Sequence, residues 1–279
     1  MNHPKAIEER LSLDERNRLS GITIPGEGQI TYQHDAAHWN SPARKILPGG
    51  SETEYTYDPL MRIEEMVAKY PGHNPVMTRG YQYSPVGNIT QKITEHGNYS
   101  FQYDELYRLI GAQTPSNPSE QYTYDPMGNR LSADNVAGSW NYNANNELTD
   151  YGTTTFEYDE NGNMTQKVAD SVTTQFVYDA EIRLTRVENG DSTVRAAYTY
   201  DPFGRRLAKE VDGIRTYFLY SDEGLIGEYD QSGAEIKTYG WAPDSTWGTD
   251  PLFVKTDGAY YWYENDHQGT PQKIISTSG

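Results

Sequence analysis

Apolar and polar positions alternate along most of this chain in short runs, and turn residues cut one run from the next. QYTY (121–124), TFEY (155–158), QFVY (175–178) and AYTY (197–200) put aromatic or β-branched residues at every second position. That is the period of a strand with one apolar face. Each run ends in a turn such as DPMGN, DENGN or DPFGR, where Asp caps, Pro presets φ, and Gly128, Gly162 and Gly204 supply the positive φ such turns need. A polar or basic residue and a leucine or similar then open a second strand, as in NRLSA, YRLIGA, IRLTRV and RRLAKE. A loop such as ENGDST or EVDGIR turns the chain back. Each unit therefore reads as a β-hairpin, and the predicted fold is all-β.

The hairpins spell one sentence repeatedly. YTYDPMGNRL (122–131) returns as YTYDPFGRRL (198–207). Good copies centre on Tyr57-Asp58, Tyr103-Asp104, Tyr124-Asp125, Tyr158-Asp159, Tyr178-Asp179 and Tyr200-Asp201; weaker ones sit at Tyr83-Ser84, Tyr142-Asn143 and Tyr220-Ser221. Leu13-Asp14 and His34-Asp35 are degenerate copies. The spacing is about 20 residues with scatter, which marks units joined by loops of variable length. Eleven units predict about 22 strands, a ribbon on the order of 100 Å if laid flat, so the antiparallel sheet is expected to coil as a solenoid or shell-like wall. MRIEEMVAKY (61–70) has helix-compatible content, but the Pro and Gly after it suit a long hairpin. AQTPSNPSEQ (112–121) reads as a surface loop inside the array. Residues 1–220 are read as the hairpin array, and 221–279, with Trp241, Trp247 and Trp262, as a specialised end segment of the same sheet.

Composition adds constraints. Among 279 residues there are 24 tyrosines and 6 phenylalanines, and apolar residues make up 35%. Tyrosine buries a ring yet keeps a polar tip, which suits thin apolar layers with wet edges. The net charge of −17 argues against nucleic acid and anionic membranes as partners. With no cysteine, disulfides and thiolate chemistry are excluded. The N-terminal text has no apolar h-region, and no run is long enough to insert in a membrane as a helix.

Several groupings invite chemistry. His34 and His38 stand four apart, as zinc ligands on a helix would, but they occupy a Tyr-Asp slot of the repeat. Asp159, Asn161, Asn163 and Asp170 approximate a calcium loop, yet the glycine falls at the wrong position. Asp266 and His267 suggest an acid–base pair, but neighbours in a strand face opposite ways. No catalytic residue, cofactor or metal is therefore assigned. A different reading is a carbohydrate- or surface-binding module, with Trp241, Trp247, Tyr261, Trp262 and Tyr263 stacking on sugar rings if they are exposed.

The unit Tyr-Asp-x-x-Gly-Asn/Arg-Leu, best seen in YDPMGNRL, YDENGNMT and YDPFGRRL, resembles the YD repeat of bacterial Rhs proteins. Their relatives are wall-associated toxins, insecticidal toxin-complex shells and animal teneurins. YYWYENDHQGTPQKIIS (260–276) is similar to the tract near the end of the Rhs core. The resemblance implies a spiralling β-sheet shell that sequesters a C-terminal toxin and helps deliver it. The family's self-cleavage motif and toxin domain are not found in this text, so the expectation is a non-catalytic fragment of shell wall. Its implied partners are the rest of the shell, the toxin domain and a secretion-apparatus component, with export as part of a larger protein made in the cytoplasm. An open sheet edge at the KIISTSG end predicts self-association or capping there.

Overall fold

The computed structural model describes residues 10–36, 41–70, 72, 74–134, 136 and 138–276. It is all-β there, with 26 strands from β1 (Arg10–Leu13) to β26 (Pro271–Ser276). Strands follow chain order in two antiparallel sheets, twelve strands in β1–β12 and fourteen in β13–β26. The MRIEEMVAKY stretch is half of a hairpin, β6 (Ile63–Lys69) against β7 (Pro75–Tyr83). The loop after residue 113 separates β10 (Leu109–Gln113) from β11 (Glu120–Tyr124).

Two turn chemistries build the two rims. At most Tyr-Asp positions the aspartate N–H donates to the carbonyl four residues on, and its own carbonyl accepts from the N–H three residues on, as in Asp104 with Arg108 and Tyr107. The ladder shifts register at the tyrosine, between Thr123 and Tyr124 for example. This is a type I turn closed by a bulge, and its third residue after Asp must take positive φ. The opposite rim has tight two-residue turns at Asp170-Ser171, Asp212-Gly213 and Asp257-Gly258, with both residues at positive φ, and longer turns at Asn189 and Asp230.

The bulge position is glycine at Gly128, Gly162 and Gly204 but isoleucine at Ile182, where φ is +63°. A β-branched residue is strained in that region by about 1–2 kcal/mol. Because Ile182 is exposed, Ile182→Gly is expected to stabilise the protein by about 1 kcal/mol. A urea midpoint that falls on this substitution would contradict the turn geometry.

The chain forms two compact units. One comprises residues 1–100, 220–226 and 237–279, and it contains the densest apolar packing. Ile22, Ile24 and Ile30 from the early strands, with Leu47 in the turn that follows Ile46, pack on Leu252, Phe253 and Trp262 from β24 (Pro251–Thr256) and β25 (Ala259–Asn265). Gly240 lies opposite Phe253 in the ladder, and a Cβ there would come within 2.1 Å of the Phe253 ring. Close backbone approach explains that glycine. Met66, Ala68 and Met77 form a second small cluster in the same unit.

The other unit comprises residues 101–219 and 227–236. Its buried apolar residues are small apart from one ring: Ala112, Ala133, Ala196, Ala208 and Phe218. Side-chain links between neighbouring hairpins therefore add to the backbone ladders that join them.

Candidate functional site

The repeated rim is the place where the recurring residues converge, and its polar atoms are mutually engaged. Asp104 Oδ1 accepts from the N–H of Leu106 and Arg108 at 2.9 Å each, and Oδ2 accepts from Arg108 Nε at 2.6 Å. Asp58, Asp179 and Asp201 bind Arg62, Arg183 and Arg205 in the same way. Asn129 and Asn163 replace the arginine beside Asp125 and Asp159. The suspected calcium loop is thus a turn whose Asp159 carboxylate already holds Asn161 and Asn163.

The tyrosine ties one hairpin to its predecessor. Tyr124 Oη donates to Leu109 O at 2.6 Å and Tyr200 Oη to Leu184 O at 2.6 Å. Tyr57, Tyr83 and Tyr158 do the same to Pro42, Ile63 and Leu148 at 2.7–2.9 Å. Arginines stack on the next tyrosine, with Arg62 over Tyr83 at 4.3 Å, Arg108 over Tyr124 at 4.8 Å and Arg183 over Tyr200 at 5.2 Å. Tyr103 and Tyr178 end β9 (Gly97–Tyr103) and β17 (Val172–Tyr178), and burial pushes both hydroxyls up in pKa.

Between β12 (Arg130–Ala133) and β13 (Trp140–Tyr142), where one sheet ends and the next begins, the tie stands in for the backbone ladder. Tyr142 Oη reaches Arg130 O at 2.8 Å, Asn129 Nδ2 reaches Asn146 Oδ1 at 2.8 Å, and Arg130 lies over Trp140 at 4.8 Å.

Other residues fill the tyrosine's role where the letters differ. His34 Nε2 donates to Leu19 O at 2.9 Å, Trp241 Nε1 to Leu225 O at 2.8 Å and Asn265 Nδ2 to Pro251 O at 2.9 Å. His34 is thereby occupied as a link; His38 lies outside the described residues. Asp266 and His267 correct the strand expectation: both lie in the turn after β25, so face alternation does not apply to them. Asp266 Oδ1 accepts from the N–H of Gln268 and Thr270. His267 packs on Tyr81 with ring centroids 4.3 Å apart, and burial lowers its pKa. The expected eleven hairpins become thirteen, because the Trp241 and Asn265 copies lack the Tyr-Asp letters.

The aromatics of the end segment have different surroundings. Trp262 is 0% exposed, against Phe253 and Tyr260. Trp241 is held by its indole bond and by close contact with Gly224. Tyr261 and Tyr263 are half-buried in β25. Trp247 is 50% exposed and stacks on Tyr220. These five rings do not make one exposed ladder, because Trp262 has no face open to a ligand.

Beside Trp262 in β25, Glu264 is buried with its charge paired. Its Oε2 accepts from Lys45 Nζ at 2.9 Å and Thr53 Oγ1 at 2.7 Å. A second carboxylate, Glu95, binds Arg79 and Lys273. Desolvation works to raise its pKa, but hydrogen bonds from Thr78, its own backbone, Lys273 and Arg79 outweigh this and bring it to about 2.

Acid sensitivity follows from these shifts. Asp14 is lowered to about 2, chiefly by the Arg18 backbone N–H, and Asp58, Asp104, Asp125, Asp159, Asp179, Asp201 and Asp230 are lowered as well. A depressed folded pKa gives stability that is present above the unfolded value and lost as pH falls through the folded one. Asp250 is shifted up and acts in the opposite sense, but it stands alone among these. Unfolding midpoints are expected to hold down to about pH 4 and then drop steeply towards about pH 2. Glu95→Gln should flatten part of that drop; a profile flat to pH 2 would contradict the bonding described.

Comparison with known proteins agrees with the repeat geometry. The teneurin YD-shell family model matches residues 72–279. The chain is 27% identical over 261 residues to double-stranded DNA deaminase toxin A of Burkholderia cenocepacia (strain H111), covering 80% of this chain and 18% of that protein. It is 26% identical over 240 residues to the probable deoxyribonuclease RhsB of Dickeya dadantii (strain 3937), covering 79% of this chain and 15% of that protein. Among solved structures, a TcdB2-TccC3 crystal structure without its hypervariable C-terminal region aligns at TM-score 0.44 and 15% identity, over 97% of this chain and 18% of that one. The chain thus spans less than a fifth of the length of these relatives. With its bulged Tyr-Asp turns and hairpin-to-hairpin ties, it belongs to the Rhs/YD-repeat family of YD-shell proteins.

Proposed function

We propose that this chain is a stretch of shell wall that helps enclose and deliver a polypeptide toxin and catalyses nothing itself. One observation carries the reading: the recurring carboxylates and hydroxyls are engaged in turns and ties, as at Asp104, Asp201, Tyr124 and Tyr200. A nucleophile or general acid needs an open position for substrate, and the repeat leaves none at these residues. The relatives' names support the toxin association, since one is called a deaminase toxin and another a probable deoxyribonuclease. Each is much longer than the matched stretch, which leaves room for an active domain elsewhere in those proteins. In this reading the chain works inside a longer exported protein, its partners being the remaining wall, the toxin domain and a component of the secretion apparatus.

The test is expression of the chain in a bacterial cytoplasm, with the purified protein assayed on DNA and tRNA. Unchanged growth and no deamination or hydrolysis are expected. Growth arrest that one carboxylate substitution relieves, while the same change in sister repeats does not, would overturn the reading.

A further inference from the structure

Two of the buried side-chain atoms that lack a partner line one cavity. In the unit built from residues 1–100, 220–226 and 237–279, a cavity of about 200 Å³ is lined by Tyr32, Lys45, Tyr55, Asp250, Asn265 and His267, among others. An adjoining cleft of about 500 Å³ shares Tyr32 and Asp250 with it and provides a way in. The Asp250 carboxylate has no hydrogen-bond donor among the described residues. Asn265 Oδ1 and His267 Nδ1 are buried without partners. Unmatched buried acceptors are costly and are normally satisfied by water, an ion or a ligand.

Charge selects the ligand. Lys45 is taken by Glu264, and Arg18 at the cleft is taken by Asp14. Asp266 is held by its own turn and by Gln272. Asp250 is therefore left without an ion-pair partner of its own, in a cavity that Tyr32 and Tyr55 also line and whose Lys45 ammonium is paired elsewhere; tyrosine rings attract positive charge through their faces. Burial raises its pKa; Lys45 works against that rise and Asp266 adds to it.

We propose that this cavity binds a primary alkylammonium group, with the ammonium on Asp250 and the unpaired acceptors and the alkyl stem against Tyr32 and Tyr55. The inference is independent of the shell reading. A lysine side chain of an enclosed polypeptide and a free diamine share this chemistry, and the experiment separates them.

The experiment is an NMR titration of the full chain, following the Trp262 indole and the Asn265 side-chain amide, with n-butylammonium and with n-butanol. Saturable binding with Kd about 1 mM is expected for the amine, and about 10-fold weaker binding for the alcohol. Asp250→Asn should weaken the amine about 10-fold without lowering the unfolding midpoint, because it removes a half-buried charge and Asn tolerates the φ of +53° found there. Tighter binding of Nα-acetyl-lysine N-methylamide than of putrescine would assign the site to a polypeptide lysine, and the reverse order to a free diamine. No saturation, equal binding of butanol, or an Asp250→Asn variant that binds as well as the parent would each leave the cavity as a water pocket and overturn the proposal.

Discussion

Replacing Lys45 by methionine is expected to lower the unfolding free energy by about 3–5 kcal/mol, the usual cost of stranding one member of a buried ion pair. The Glu264 side chain is 1% exposed, and Lys45 Nζ stands 2.9 Å from its Oε2. Thr53 Oγ1, at 2.7 Å, is the carboxylate's other donor, and Oε1 has none. Without the lysine, a charge would remain in the apolar contact region with one neutral hydrogen bond. Methionine keeps most of the lysine stem's volume, so the loss would report charge rather than shape. The double variant Lys45→Met with Glu264→Leu should recover most of the stability, since an apolar pair of similar volume can replace a buried ion pair. Equilibrium urea unfolding of the four cycle members measures the coupling. Less than about 1 kcal/mol for Lys45→Met would mean that the pair is not formed as described.

The second large effect is expected at Trp262. Its ring fills the centre of the cluster of Ile22, Ile24, Ile30 and Phe253, so Trp262→Ala should cost about 3–5 kcal/mol through lost burial and the cavity left behind. Trp247→Ala, at an exposed ring stacked on Tyr220, should cost no more than about 1.5 kcal/mol. The contrast also separates scaffold from sugar binding. If Trp262 served a ligand face, its removal would abolish glycan binding and leave the unfolding midpoint near the parent's.

Much of this architecture is written in the letters because turn chemistry is local. Asp104, Asp125 and Asp201 cap a turn of their own five residues, so the motif is legible wherever those residues recur. The tie is less legible. It needs a donor at a fixed height in the strand, and His34, Trp241 and Asn265 supply one without tyrosine. Tyr229-Asp230 shows the converse: Asp230 makes the same bulged turn before Ala234, but at the opposite rim, out of step with the period near 20 residues. Least legible is the packing of Lys45 against Glu264, separated by 219 positions. Nothing local in RKI or YWYEN marks either residue as paired, because the contact depends on which strands the chain brings together. Asp250 was equally silent, as one carboxylate among 40 acidic residues.

The recurring tyrosine is a structural tie, equivalent from hairpin to hairpin, rather than part of one reactive centre. Tyrosine-to-phenylalanine substitution at Tyr57, Tyr83, Tyr124, Tyr142, Tyr158 and Tyr200, each measured by equilibrium unfolding, tests it most directly. Each ring stays in place and one hydroxyl donor to a backbone carbonyl is lost. A loss of about 0.5–1.5 kcal/mol is expected at every position, with Tyr142 at the upper end because it spans the break between the sheets. Six unchanged midpoints would contradict it. So would a single position whose substitution costs no stability but removes an activity.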